Sequence, residues 1–248
     1  MAGFRLPQSL AIALICGLPF FLASGGCTIN TSPSTRGDRR PSESSTVKQQ
    51  QAIKIMPLGD SITDGYNVPG GYRMDLWQAL HERGDRIEFV GSQENGPPEL
   101  PHRRHEGYPG WRIDELHRHV GDWLQAAQPD IILLLIGTND IVQGYDLERA
   151  PARLDALIDD LFRHCPEVQV FVGSIPPIDE PHLNARVQAY NEAIAQRIQA
   201  RQAQGDRLIF VDLYAGLTSE DLADGIHPNR QGHRKIAQTW YESLTANW

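Results

Sequence analysis

The chain has 248 residues, of which 40% are hydrophobic, and its formal net charge is −8. This length suits one domain, and the apolar fraction is sufficient for a sizeable core. The negative charge, with no basic stripe interleaved with aromatic residues and no G-x-x-x-x-G-K-[ST] loop, argues against a nucleic-acid partner and against phosphate-cradling chemistry.

The N-terminal segment is typical of an export signal. A basic residue precedes an apolar run, residues 10–23, that is too short and too interrupted by Pro and Gly for a stable transmembrane helix. We interpret residues 1–27 as a signal peptide. Small residues lead directly to Cys27, which predicts a cell-envelope lipoprotein attached to the membrane through this cysteine, although Ser24 stands where the usual motif has leucine. Ordinary cleavage near Gly25, giving a secreted or periplasmic protein, is the alternative.

Residues 28–51 are rich in Ser, Thr, Pro and charged residues and have almost no apolar content. Such a segment does not bury enough surface to fold, so it predicts a flexible linker. An ordered arm packed on the following domain, residues 52–248, is the alternative.

From residue 52 onwards, apolar strands alternate with amphipathic helices. Strands are predicted at 52–58, 86–91, 131–136, 168–173 and 208–211, and helices near 72–83, 113–127, 148–164, 183–203 and 231–244. This alternation predicts an α/β fold, a three-layer α/β/α sandwich around a five-stranded parallel sheet in flavodoxin-like order. In such a sheet the carboxyl ends of the strands share one edge, and ligands bind there.

A serine, Ser61, follows the first predicted strand in the sequence G-D-S-I-T-D at 59–64. The turn between a strand and a helix is where α/β proteins present a reacting side chain. A serine beside glycine and aspartate is also typical of a helix cap, so a nucleophilic role depends on partners elsewhere in the chain.

The sequence D-G-I-H-P at 224–228 offers such partners, Asp224 and His227. On a tight turn, this spacing lets the carboxylate reach the imidazole Nδ1 and hold the tautomer whose Nε2 accepts a proton from serine. A turn whose histidine caps the following helix is the alternative.

Two further segments offer hydrogen-bond donors to an oxygen that becomes negative during attack. Asn139, in G-T-N-D at 137–140, follows a strongly apolar strand and lies on the same rim as Ser61. The loop H-E-G-Y-P-G-W at 105–111 offers the backbone N–H groups of Gly107 and Gly110, of which Gly110 is nearer the next helix. A capping asparagine and plain loop glycines remain the alternatives.

Taken in order, these four segments resemble the four conserved blocks of the SGNH (GDSL-type) hydrolase superfamily. The resemblance spans residues 53–247 and implies the flavodoxin-like SGNH hydrolase fold. It implies Ser61 as nucleophile, His227 as general base and Asp224 as its orienting partner. It also implies an oxyanion hole formed by the backbone N–H groups of Ser61 and Gly110 and by the side chain of Asn139.

Several phrases are similar to one branch, carbohydrate esterase family 3, which contains acetylxylan esterases. They are M-P-L-G-D-S-I-T-D-G at 56–65, P-G-G-Y-R at 69–73, F-V-G-S-Q at 89–93 and the loop at 105–111. The resemblance implies a serine esterase that removes short acyl groups, above all acetyl, from carbohydrates, without metal or organic cofactor. A lipid esterase or lysophospholipase on the same fold, or a non-catalytic surface carbohydrate-binding protein, are the alternatives.

Side chains near these blocks are candidate substrate contacts. Tyr66, Tyr72 and Trp111 offer flat faces for a sugar ring, and Arg73 suits hydroxyl groups or an acidic decoration. For each aromatic ring, packing between loop and helix is the alternative. The expected partner is a small-molecule or polysaccharide ester, and we expect a monomer.

Overall fold

The computed structural model describes residues 51–247. The predicted signal peptide with Cys27 and all but the last residue of the predicted linker lie outside this range, so export and lipidation stay predictions. Among the described helices, none combines the length and the apolar character needed to cross a membrane.

Seven strands within residues 51–247 form one sheet with β1 at its centre. On one side β1 pairs in parallel with β5, and β6 and β7 follow in parallel. On its other side β1 pairs in parallel with β2 along its first residues and with β4 along its last, while β3 is antiparallel to β4. The strands are β1 Ile53–Gly59, β2 Ile87–Phe89, β3 Gln93–Glu94, β4 Arg104–Gly107, β5 Ile131–Leu135, β6 Gln169–Gly173 and β7 Leu208–Val211.

The predicted fold class is confirmed, with a different number of strands. Because β2 and β4 follow one another along the same side of β1, the parallel part has five positions, as predicted. The two additional strands, β3 and β4, lie in a segment predicted to be a long loop. They have two and four residues and mostly polar side chains, so they lack the apolar alternation by which a strand is recognised.

Helices flank the sheet in two groups. In one, α2 packs on α8; in the other, α6 packs on α3, α4 and α7. The helices are α1 Ser61–Asp64, α2 Gly71–Arg83, α3 Ile113–His117, α4 Val120–Ala127, α5 Thr138–Gln143, α6 Ala150–His164, α7 Pro181–Ala203 and α8 Arg230–Ala246, with short 3-10 turns at Leu147–Arg149 and Ser219–Asp221.

The single helix predicted over 113–127 is in fact two, α3 and α4, which are separated at residues 118–119. The buried side chains of both helices, Ile113, Leu116, Val120 and Leu124, keep a helical spacing straight through the break. Apolar periodicity therefore predicts one continuous helix, and the break has no signal in the sequence pattern.

The central strands meet closely where the site begins. All five residues of β5 are buried, as expected for a parallel strand covered on both faces. Gly59 is the last residue of β1; a Cβ atom there would overlap the carbonyl oxygen of Leu135 and lie 2.6 Å from Thr63 Oγ1. Glycine is therefore needed for β1, β5 and α1 to approach one another.

We expect Gly59→Ala to lower the free energy of unfolding by about 2 kcal/mol or more, because the added methyl group has no space. The matched control is Gly216→Ala, where no heavy atom lies within 4 Å of the added carbon, and its stability should stay close to that of the wild type. Urea unfolding of the three proteins measures this, and equal stabilities would contradict the packing argument.

Candidate active site

Ser61 is held where β1 gives way to α1. The carboxylate of Asp60 caps this short helix by accepting the N–H of Ile62 at 3.0 Å. Ser61 is the first helical residue, so its own N–H has no acceptor within the helix. Its side chain is only slightly exposed, and its position is fixed by the strand and the cap.

Ser61, His227 and Asp224 form one chain of hydrogen bonds. Ser61 Oγ lies 2.9 Å from His227 Nε2, although 166 positions separate the two residues in sequence. His227 Nδ1 lies 2.8 Å from Asp224 Oδ2. The structure thus brings together the three residues that the sequence predicts as nucleophile, base and orienting acid.

The turn that carries Asp224 and His227 is organised by the aspartate itself. Its Oδ1 accepts the backbone N–H groups of Ile226, at 3.0 Å, and His227, at 2.8 Å, and Gly225 has a φ of 84° that favours glycine. Partial burial raises the pKa of Asp224, but the hydrogen bonds from His227 and Ile226 outweigh it and hold this pKa below its usual value. Asp224 is therefore a carboxylate at neutral pH.

Asn139 and the loop that contains Gly110 are tied to each other. Asn139 Nδ2 donates to the carbonyl oxygen of Trp111 at 2.9 Å, and Gln143 Nε2 donates to that of Gly110 at 3.1 Å. An amide nitrogen carries two hydrogens, so the bond to Trp111 leaves Asn139 one for an oxyanion. Gly110 is exposed, with a φ of 83°. Its role as an oxyanion donor stays a prediction.

Beneath the serine lies a buried acid, Asp60, which caps the helix in place of Ser61 and whose burial no sequence pattern indicates. Its side chain is completely buried, and this burial raises its pKa to about 7, against the lowering effects of the Ile62 N–H and the charge of His227. Thr138 also lowers this pKa. Yet neither Asp60 Oδ2 nor Thr138 Oγ1 has a hydrogen bond of normal geometry within the described chain.

Two predicted substrate contacts are wrong. Tyr72 and Arg73 are completely buried in α2, so neither reaches a substrate. The Tyr72 hydroxyl contacts Thr63 Oγ1 at 3.2 Å. The guanidinium of Arg73 donates to four backbone carbonyl oxygens, those of Thr63, Asp64, Asn95 and Arg103. These two side chains support the serine helix from behind, because α2 turns them inwards.

The third predicted contact, Trp111, lies in a half-buried aromatic cluster. Its ring stacks on Tyr108 with centroids 4.2 Å apart, and it also contacts Trp123 and His119. Packing between loop and helix thus accounts for the ring, and a substrate contact stays a prediction. Gln143, which fixes the Gly110 loop, was missed because no motif in the sequence marks it.

Comparison with known proteins places this arrangement in a family. The sequence model of the GDSL-like lipase/acylhydrolase family matches residues 58–235, a stretch that contains Ser61, Asn139, Asp224 and His227. The chain belongs to this family. The superfamily resemblance predicted from the four blocks is therefore confirmed.

Individual proteins are also similar along most of the chain. A multidomain esterase of Ruminococcus flavefaciens is 34% identical over 220 residues, covering 77% of this chain but only 28% of that protein, so the chain spans about a quarter of this relative. A family 3 carbohydrate esterase of Clostridium thermocellum is 34% identical with a TM-score of 0.71, covering 79% of this chain and 97% of the other. An acetyl esterase solved with an acetate ion is 26% identical with a TM-score of 0.69 at the same coverage.

The burial of Asp60 predicts an unusual dependence of stability on pH. Its pKa is about 7 in the fold, whereas the ordinary value for an aspartate is 3.8, so the folded protein binds this proton more tightly than the unfolded chain. The contribution of this proton to the free energy of unfolding is fully present below about pH 4 and is lost as the pH rises through 7. Asp60→Asn keeps an acceptor for Ile62 and carries no charge. We expect its stability relative to wild type to grow by about 2 to 3 kcal/mol between pH 5 and pH 8.

Urea unfolding at the two pH values measures this difference. Asp122→Asn, at an exposed aspartate of α4, is the control for the loss of one negative charge. A stability difference between Asp60→Asn and wild type that is the same at pH 5 and pH 8 would show that Asp60 is ionised in the fold throughout.

Proposed function

We propose that this protein is a serine esterase that removes short acyl groups, above all acetyl, from carbohydrates. The observation that carries the proposal is the hydrogen-bonded chain from Ser61 through His227 to Asp224, at 2.9 and 2.8 Å. A neutral imidazole in this chain accepts the serine proton and leaves the oxygen able to attack a carbonyl carbon. Similarity to a multidomain esterase supports ester hydrolysis, and similarity to a family 3 carbohydrate esterase supports a sugar ester as substrate. Similarity to an acetyl esterase supports the acetyl group.

In the first half of the reaction, Ser61 Oγ attacks the ester carbonyl carbon as its proton passes to His227 Nε2. The carbonyl oxygen becomes negative and accepts hydrogen bonds from the N–H groups of Ser61 and Gly110 and from the amide of Asn139. Asp224 stabilises the imidazolium. When the intermediate collapses, the bond to the alcohol oxygen breaks and His227 gives that oxygen its proton.

In the second half, water takes the place of the departed alcohol. His227 removes a proton from this water as its oxygen attacks the acyl carbon bound to Ser61. The negative oxygen of this second tetrahedral intermediate accepts hydrogen bonds from the same N–H and amide groups as the first. Its collapse breaks the bond to Ser61 Oγ, which regains a proton from His227, and the acid leaves.

Removal of the nucleophile or base should nearly abolish turnover. We expect Ser61→Ala and His227→Ala to lower kcat on p-nitrophenyl acetate by about 10³- to 10⁶-fold, and Asn139→Ala by about 10²- to 10³-fold. His182→Ala, at an exposed histidine of α7, should behave as wild type. Circular dichroism checks folding, and normal activity in folded Ser61→Ala would refute the nucleophile assignment.

A substrate panel tests the acyl group and the alcohol separately. We expect the wild-type protein to release acetate from acetylated xylan faster than from acetylated peptidoglycan fragments, and to release little fatty acid from lysophospholipids. Fatty acid without acetate would support a lipid esterase instead. Equilibrium binding of xylan fragments with no product from any ester would support a non-catalytic carbohydrate-binding protein.

A further inference from the structure

The exposed apolar side chains lie beside the candidate active site. Within residues 51–247, the large hydrophobic side chains that stand exposed are Tyr66, Val142 and Tyr145. Tyr66 follows the helix that begins with Ser61, whereas the other two follow Asn139 on and after α5. Single exposed hydrophobic side chains are common on protein surfaces, so the contacts of each residue decide whether it suits a ligand.

The two tyrosines have different surroundings. Tyr145 is 42% exposed and lies against the guanidinium groups of Arg112, at 4.4 Å, and Arg153, at 4.9 Å. Its position is thus explained by cation–π contacts within the protein. Tyr66 is 66% exposed, and within the described chain its hydroxyl has no hydrogen-bond partner.

Tyr66 nevertheless has a fixed relation to the reacting groups. Its ring centroid lies 5.5 Å from that of His227, with the two planes tilted by 42°. Its backbone N–H donates to the carbonyl oxygen of Ser61 at 3.1 Å. The ring therefore stands beside the imidazole, in contact with water on most of its surface.

The proposed reaction determines which part of the ester lies beside the Tyr66 ring. The carbonyl oxygen must point towards the donors Asn139 and Gly110. The alcohol oxygen must lie within reach of His227 Nε2, because this nitrogen gives it the proton when the ester bond breaks. The alcohol part of the substrate therefore lies on the His227 side of Ser61, next to Tyr66.

We propose that Tyr66 is the platform for the leaving sugar, whose apolar C–H face stacks on the tyrosine ring. This inference rests on the proposed esterase function and assigns the alcohol specificity to one residue. Because water replaces the sugar before the second half of the reaction, Tyr66 should affect acylation by sugar esters and leave deacylation unchanged.

The experiment compares a substrate with a sugar alcohol and one without. We expect Tyr66→Ala to lower kcat/KM for acetylated xylo-oligosaccharides by about 5- to 10-fold, the effect of losing one aromatic contact. For ethyl acetate, whose alcohol is too small to cover the ring, kcat/KM should change by less than about twofold. Tyr66→Phe keeps the ring face and should retain the wild-type ratio between the two substrates.

Tyr145→Ala is the matched control, since it removes another exposed tyrosine near the site and should change both substrates by the same factor. Equal losses on both esters in Tyr66→Ala, or no loss on either, would overturn the platform assignment while the wild-type protein remains an active esterase. If the wild-type protein releases acetate from neither ester, the proposed function fails as well, so the two failures are distinguishable.

Discussion

The pairing of β1 with β5 is the constraint on which the rest of the site depends. Gly59 stands opposite Leu135, so the two strands end at the same level of the sheet. The turn that bears Ser61 and the turn that bears Asn139 therefore begin side by side. Burial of both strands among apolar side chains holds this register, and the missing side chain of Gly59 lets the strand ends and α1 come close.

The histidine reaches this edge from the other end of the chain through a turn that is fixed on several sides. Within the turn, the N–H of Ala223 donates to the carbonyl oxygen of His227. Asn67, just after the serine helix, donates to the carbonyl oxygen of Pro228 at 3.0 Å, and Asn229 caps α8. Because these bonds come from the protein itself, they orient the base towards Ser61, which lowers the entropic cost of reaching the transition state.

Buried polar groups lie directly behind the two reacting turns. Asp140 accepts from Arg153 at 2.6 Å and from the N–H of Ile113 at 3.2 Å, and so joins α5 to α6 and α3. Burial nevertheless raises the pKa of Asp140, and that of Asp60 even more clearly. Burying an acid is unfavourable unless its hydrogen bonds are complete. Both carboxylate oxygens of Asp140 have such bonds, whereas Asp60 Oδ2 has no hydrogen-bond partner within the described chain, so Asp60 is the acid whose burial lowers stability.

The sequence by itself determined the five positions of the parallel sheet and most of its long helices, and it predicted Ser61, Asn139, Asp224 and His227 as site residues. These follow from local patterns: apolar runs, turns rich in glycine, and a D-x-x-H spacing that closes a hydrogen bond within one turn.

Only the tertiary structure decided which side chains near those motifs face the solvent. Tyr72 and Arg73 stand beside the glycines of a loop motif but point into the protein, and the acceptors of Arg73 come from three separate segments. The burial of Asp60, the pairing of β4 and the place of Tyr66 beside His227 likewise depend on contacts between residues far apart in sequence, which no local pattern encodes.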